Sequence, residues 1–171
     1  MLKLMSLVLV SLIGLSAGVQ AQNNWSAPGS VCVPTGASIR AGKFDTNQAA
    51  VIYSPGSLGE IFLHCAIARF NSATAAYDLK ITYRDSTGTA TTGSVRAVLL
   101  YIPITGATPV ILGSVTSDSS AVTTLNSISS AAIAHTFDFE ANIYWVRVVL
   151  KRTATDQIVI FHNAWLDGFA I

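Results

Sequence analysis

Apolar and polar residues alternate strictly in two stretches of the chain, and this period of two is what most constrains its fold. In "YDLKITYRD", residues 77–85, every second residue is apolar and the residues between are polar. "NIYWVRVVLKR", residues 142–152, alternates in the same way, with Trp145 and Arg147 on the less apolar face. Because successive side chains of a β-strand point to opposite faces, both stretches predict strands with one buried face.

Short apolar runs rich in Val, Ile, Tyr and Phe continue along the chain, separated by turn-forming Gly, Ser, Thr, Asn and Asp. The other strand candidates are "SVCV", "ASIRAGKF", "AAVIYS", "EIFLHCAIARF", "SVRAVLLYIPI", "PVILGSVT", "AVTTLNSIS", "AHTFDFE" and "DQIVIFHNAWL". No segment has the 3.6-residue apolar stripe of a helix. About eight to eleven short strands predict an all-β protein. We expect a two-sheet antiparallel β-sandwich that is jelly-roll-like, with an immunoglobulin-like sandwich as the alternative.

One predicted strand is apolar on both faces. It is "AVLLYIPI", residues 97–104. Such a strand must be central and covered on both sides, because an exposed apolar strand promotes aggregation. Either a packed loop or a second subunit could provide the outer cover.

The first residues predict export from the cell. Lys3 precedes an apolar run from Leu4 to Leu15, and small residues follow up to Ala21. This pattern is typical of a secretory signal peptide, residues 1–21. We expect a flexible leader over residues 22–30 and one β-sandwich domain over residues 31–171. The mature protein would be secreted or at the cell surface, or periplasmic if the source is bacterial.

The mature chain is formally neutral and poor in charge. Removing 21 of 171 residues leaves 150, and the loss of Lys3 leaves 9 basic residues against 9 acidic ones. We therefore expect no binding of nucleic acid and no membrane insertion after the signal is removed. Little charge repulsion keeps copies apart, so a homo-oligomer or filament remains open.

The only two cysteines, Cys32 and Cys65, predict one disulfide, as is usual in exported proteins. Closing a loop of about 34 residues stabilises the fold by roughly 3.8 kcal/mol in the chain-entropy model. The neighbouring His64 suggests a thiol-based catalytic pair, but adjacent strand residues point to opposite faces. We expect the disulfide.

Metal and catalytic motifs are weak. His135, Asp138 and Glu140 in "HTFDFE", with His162, contain the right residue types for a metal site, yet no known metal-ligand spacing occurs. No nucleophile elbow or distinct carboxylate pair is present either. We predict no cofactor, no metal and no enzymatic activity.

Sugar binding is a second class of function. Aromatic rings stack on pyranose rings, and Trp145 with Arg147 or Asn142 is the first choice for such a site. Trp165 with Asp167 is the second choice.

The layout resembles chaperone–usher pilins and fimbrial adhesins, which have a signal peptide, one early disulfide and an all-β fold. However, "WLDGFAI" lacks the penultimate tyrosine of those proteins, and "QNNWSAPGS" lacks the apolar alternation of a donor strand. The leading hypothesis is a secreted structural or surface-assembly protein that self-associates through uncharged β faces. The alternative is a secreted, adhesin-like carbohydrate- or surface-binding module that binds a polysaccharide or cell surface.

Overall fold

Two antiparallel sheets pack face to face over one apolar core in the computed structural model, which describes residues 25–70, 76–106 and 108–169. Sheet A contains β1 (Trp25–Pro28), β3 (Phe44–Asn47), β4 (Ala50–Tyr53), β6 (Ala76–Asp85), β9 (Leu125–Ser129), β10 (Ile133–Ala134) and β12 (Val159–Phe169). Sheet B contains β2 (Val33–Pro34), β5 (Gly59–Ala66), β7 (Gly93–Pro103), β8 (Val110–Thr116) and β11 (Asn142–Arg152). The predicted signal peptide, residues 1–21, lies outside the described residues.

The order of the strands places β11 at the centre of sheet B. The order there is β2-β5-β11-β7-β8, and in sheet A β12 lies between β6 and β4. Strands β5, β6 and β7 alternate between the sheets, as do β11 and β12, so the connections cross from one layer to the other. The prediction of an all-β, two-sheet antiparallel sandwich is confirmed.

The two alternating stretches form the core as predicted. In β6 the side chains of Tyr77, Leu79, Ile81 and Tyr83 are fully buried. In β11 the burial of successive residues alternates along the whole strand from Asn142 to Arg152. Burying such side chains removes large apolar areas from water, which is the main force that stabilises a sandwich.

Three local predictions differ from the structure. "ASIRAGKF" contains a short helix, α1 (Gly36–Arg40), in place of a strand. Its Ser38 is buried and accepts a hydrogen bond from Phe62 N at 3.0 Å, so a tertiary contact supports the turn. Part of the expected leader forms β1, which pairs with β12.

"AHTFDFE" is the third difference, because regular strand ends at Ala134. The Asp138 carboxylate accepts hydrogen bonds from Glu140 N at 2.9 Å and Ala141 N at 3.0 Å. An aspartate that bonds its own backbone in this way favours a turn over a strand.

The doubly apolar stretch "AVLLYIPI" lies in β7, between β11 and β8. Its outward-facing Val98 and Leu100 are 1% and 4% exposed. Their cross-strand neighbours on that face include Arg147 and Trp145, whose long side chains can lie over them. One chain therefore covers both faces of this strand.

The predicted disulfide is confirmed: Cys32 and Cys65 are bonded, and both are buried. It fastens the segment after β1 to β5, next to the centre of sheet B. His64 lies on the other face of β5 and is exposed, so the pleat separates the two neighbours.

A buried aspartate connects the two sheets. Asp85, at the end of β6, is fully buried and accepts hydrogen bonds from Thr87 N at 2.9 Å and Thr87 Oγ1 at 2.7 Å. Ser117 Oγ donates to the same carboxylate at 2.6 Å and accepts from Val95 N at 2.9 Å. Ser117 opens a 3₁₀ turn, Ser117–Ser119, that follows β8. Asp85 thus holds this turn of sheet B against sheet A.

A second buried polar group is Arg152, at the end of β11. Its guanidinium carbon lies 4.6 Å from the ring centre of Tyr53, and Nε and Nη2 both donate to Ser57 O. The Tyr53 hydroxyl lies 2.8 Å from Leu150 O and 2.6 Å from Gly59 O. These contacts fasten the β4–β5 loop to the end of β11.

Aromatic rings fill one end of the sandwich, and His135 is among them. Its ring stacks on Tyr101 with centroids 5.4 Å apart, and Nε2 lies 3.0 Å from Tyr144 Oη. Asp138 N donates to the same Oη at 3.0 Å, which leaves the hydroxyl proton free to point at the imidazole. Burial lowers the pKa of His135 below its ordinary value of 6.5.

Within the described residues, no helix has both the length and the apolar character needed to cross a membrane.

We expect Asp85→Ala to lower the free energy of unfolding by about 3 kcal/mol, because three donors lose a buried acceptor. Chemical denaturation measures the change. The matched control is Asp78→Ala, on the outer face of the same strand, with an expected change within about 0.5 kcal/mol. Equal losses in both variants would show that the Asp85 network does not join the sheets.

We expect stability to fall as the pH is lowered through and below the ordinary histidine pKa. The folded-state pKa of His135 is depressed, so the unfolded chain binds more protons there, and its stabilising effect is complete only above about pH 6.5. The drop in Tm between about pH 7.5 and about pH 5 should shrink in His135→Phe, which keeps the ring contacts. The exposed His64→Asn is the control, and a shrinkage of equal size there would contradict the assignment.

Candidate functional site

The outward-facing surface of sheet B, here called the B face, carries aromatic, apolar and charged side chains next to one another. Its members come from four neighbouring strands: Glu60, Phe62, His64 and Ala66 from β5; Ile143, Trp145, Arg147, Val149 and Lys151 from β11; Ser94, Arg96, Val98, Leu100 and Ile102 from β7; and Ile111, Ser114 and Thr116 from β8. The register of the pairings arranges them in rows across the sheet.

One end of the B face is apolar. Trp145 is half-buried and lies in a row between Ala66 and Leu100, and the next neighbour along that row is Ile111, which is 59% exposed. Ile143, 57% exposed, extends the patch. Large apolar side chains this exposed are informative when they cluster, because a cluster of them is typical of a binding surface.

The other end of the B face is a charged groove of about 380 Å³. It is lined by Glu60, Phe62, Ser94, Arg96, Thr116, Asp118, Arg147, Val149 and Lys151. A second groove of about 410 Å³ shares Arg96, Thr116 and Asp118 with it and continues over the edge of the sheet. The name charged groove is used below for the groove of about 380 Å³ alone. It begins one row from Trp145, because Arg147 lies two residues further along β11.

Asp118 is held at the groove wall by the turn that follows β8. Thr116 Oγ1 donates to its Oδ2 at 3.2 Å, and the preceding residue, Ser117, is fixed by buried Asp85. Burial raises the pKa of Asp118 above its usual range, and the nearby Asp85 adds to that rise. The Thr116 hydrogen bond and the charge of Lys151 oppose it.

Two polar atoms of the groove are shielded from solvent without a hydrogen-bond partner among the described residues. They are Asp118 Oδ1, an acceptor, and Arg147 Nε, a donor. Buried polar groups are nearly always paired, so unpaired ones call for an explanation. Both belong to side chains of the charged groove, whereas a third such atom, Asn163 Oδ1, lies on β12 of sheet A.

Of the residues predicted for sugar binding, Trp145 and Arg147 share the B face. Asn142 does not join them, since it lies on the opposite side of β11 and its Nδ2 is 3.3 Å from Asp138 O and 3.4 Å from Tyr144 Oη. His64, beside Arg147 in register, comes within 6.5 Å of Trp145 between ring centres.

The second predicted pair, Trp165 and Asp167, lies on the outer face of sheet A. Lys80 Nζ lies 5.2 Å from the Trp165 ring, and Asp167 is directly opposite Asp78. A lysine over the ring and two facing carboxylates make this a less suitable stacking surface than Trp145.

Three of the four residues considered for a metal use their side chains in other contacts. His135 packs in the aromatic cluster, Asp138 closes a turn, and Glu140 forms an exposed ion pair with Arg69 at 3.6 Å. His162 lies on a different element, β12, where burial lowers its pKa. Among residues 25–70, 76–106 and 108–169, no three His, Cys, Asp or Glu side chains are grouped to hold a metal ion.

A larger cavity of about 640 Å³ opens among Arg69, Phe70 and residues 136–140.

Sequence reasoning missed most of the charged groove. Arg96, Asp118 and Lys151 come from three different elements, and their proximity depends on the strand order and register. The one available signal was the alternation in "NIYWVRVVLKR", which places Lys151 on the same face as Trp145 and Arg147.

Comparisons with known proteins give a fold likeness only. No protein-family model matches the chain, and no curated protein matches it. Among solved structures, the chain is similar to the CBM36-1 domain of a multidomain xylanase from the hindgut metagenome of Trinervitermes trinervoides. The identity is 9% and the TM-score 0.48, over 87% of this chain and 100% of that one.

Two further structures are similar at lower scores. A family 29 carbohydrate-binding module is 10% identical with a TM-score of 0.36, covering 88% of this chain and 80% of its own. TmCBM61, solved in complex with β-1,4-galactotriose, is 12% identical with a TM-score of 0.35, over 87% and 83%. At these identities and scores, no residue of those proteins is carried over to this chain.

Proposed function

We propose that this protein is an exported, non-catalytic module that binds polysaccharide on the B face. The observation that carries the proposal is the half-buried Trp145 beside the charged groove, on one face of sheet B. A sugar chain presents both an apolar ring face and polar hydroxyls. The B face offers a surface for each, in adjacent rows.

The indole ring suits the apolar side of a sugar. Trp145 is half-buried, lies beside Leu100 in register and comes within 6.5 Å of the His64 ring, and such neighbours limit its freedom before any ligand arrives. A ring held in this way loses little entropy on binding. Successive residues on one face of a strand are about 7 Å apart, so Trp145 is roughly 13 Å from Val149 in the groove. A ligand that reaches both would span more than one sugar ring.

The groove suits the hydroxyls. Charged side chains make stronger hydrogen bonds than neutral ones, and Arg96, Arg147 and Lys151 donate while Glu60 and Asp118 accept. A hydroxyl group both donates and accepts, so a mixed set of partners matches it.

Export is part of the same proposal. It is supported by the predicted signal peptide and by the Cys32–Cys65 disulfide, which is typical of oxidising compartments.

A second candidate function is self-association through the apolar end of the B face. It is favoured by the exposure of Ile111 and Ile143, which are 59% and 57% exposed at that end. An apolar patch rimmed by charge is also the form of a protein–protein contact. Sugar binding accounts for Trp145 and the charged groove together, and self-association accounts for the patch alone.

We expect Trp145→Ala to weaken binding to a retained polysaccharide by about tenfold or more, because the stacking surface is lost. A glycan array selects the polysaccharide and affinity electrophoresis measures the change. The matched control is Trp165→Ala, on the outer face of sheet A, which should bind as the unmodified protein does. Equal loss in both variants, or no binding to any polysaccharide, would reject the proposal.

For self-association, light scattering at rising protein concentration should show a dimer or larger species that Ile143→Asp removes. Leu125→Asp is the control, since Leu125 is 60% exposed on β9 of sheet A. A monomer at every concentration would exclude the second candidate.

A further inference from the structure

Three basic side chains line the charged groove around one position of β11. Arg96 on β7 is directly opposite Val149 on β11, and Arg147 and Lys151 lie two residues to either side of Val149 on the same face. Diagonal neighbours of this kind are about 7–8 Å apart, within reach of long side chains. The three cations therefore surround a single apolar residue.

These cations are not neutralised by close ion pairs. Within the described residues, none of Arg96, Arg147 and Lys151 has a carboxylate oxygen within 4.0 Å, and the ion pair found there joins Arg69 to Glu140. Glu60 lies opposite Lys151 in register, and the charge of Lys151 acts on Asp118. Three positive groups against two carboxylates leave the groove with an excess of one positive charge.

The unpaired atoms add a chemical requirement to the charge. Arg147 Nε needs an acceptor and Asp118 Oδ1 needs a donor. A bare inorganic anion offers acceptors alone. A sugar acid offers a carboxylate as acceptor and hydroxyls as donors, which are the two kinds of partner that these atoms lack. An unpaired buried group is costly, so pairing it with a ligand favours binding.

The geometry of the cations favours a planar anion. Arg96 and Arg147 each carry a guanidinium, whose fork of donors matches the two oxygens of a carboxylate. Lys151 adds a point charge, and Phe62 and Val149 form an apolar floor against which a ring can lie.

We propose that the charged groove binds the carboxylate of an acidic sugar, so that the polysaccharide recognised by the B face contains uronic acid. This rests on the proposed polysaccharide binding, and it adds the class of ligand. Arg96 and Arg147 hold the carboxylate, Lys151 supplies long-range attraction, and Glu60 and Asp118 accept hydroxyls of the same or the next ring.

The test compares one polymer with and without its charge. Polygalacturonate and its fully methyl-esterified form have the same backbone, and isothermal titration calorimetry gives the affinity for each. We expect the charged polymer to bind about tenfold or more tightly, and the difference to shrink as salt is added. A neutral galactan and dextran sulfate complete the set.

Arg96→Gln should reduce the affinity for polygalacturonate by about tenfold and the affinity for the esterified polymer by clearly less, so that the ratio of the two affinities falls. Arg84→Gln is the matched control, because Arg84 is an exposed arginine on the outer face of sheet A. Lys151→Gln is a second variant, should Arg96→Gln prove unstable, and the Tm of each variant verifies its folding.

The outcomes separate this inference from the proposed function. The acidic-sugar site is overturned if polygalacturonate binds no more tightly than its esterified form, or no more tightly than neutral galactan. Polysaccharide binding would still stand in that case. Binding to dextran sulfate alone also overturns it. A protein that binds none of the four polymers contradicts the inference, and if a glycan array is blank as well, the proposed function falls with it.

Discussion

The pleat of β11 is the constraint on which the rest of the structure depends. This strand is central in sheet B, paired with β5 on one side and β7 on the other along nearly its whole length. Its inward residues are buried in the core, and its outward residues include both Trp145 and the cations of the groove. A slip of one residue in its register would turn Trp145 into the core and Val146 out to water. The same pairings therefore fix the core and the B face, and neither can be changed without the other.

Buried polar contacts then determine where the loops lie on this frame. Asp85 holds Ser117, and through it the turn that places Asp118 at the groove wall. Arg152, which follows Lys151 in β11, lies over the Tyr53 ring and donates to Ser57 O. These contacts hold the β4–β5 loop in place. Breaking either contact leaves buried donors without acceptors, at a cost of a few kcal/mol. The charged groove is therefore built on rigid supports at both of its sides, which favours a ligand that fits a preformed surface.

The sequence predicted those features that depend on the period of two. The face shared by Trp145 and Arg147, and the separation of His64 from Cys65, follow from alternation alone. The prediction that Asn142 shares a sugar site with Trp145 was wrong. The two residues are three positions apart on one strand, and alternation places such residues on opposite faces. α1 could not be foreseen, because a contact from Phe62, distant in sequence, supports it. Arg96 was missed for a similar reason: its neighbours are decided by strand order, which no local pattern encodes.

The residues beside the doubly apolar strand β7 on its outer face are also residues of the proposed sugar-binding surface. Val98 and Leu100 face outward, yet they are buried, and the side chains next to them in register are Arg147 and Trp145. An arginine or tryptophan that covers an apolar neighbour with its stem or ring still presents its polar end or its second face to water. Covering β7 therefore favours long side chains at positions 145 and 147, the two positions that are opposite Leu100 and Val98. Shorter residues there would expose β7 to aggregation, and the groove and the stacking surface would disappear with them.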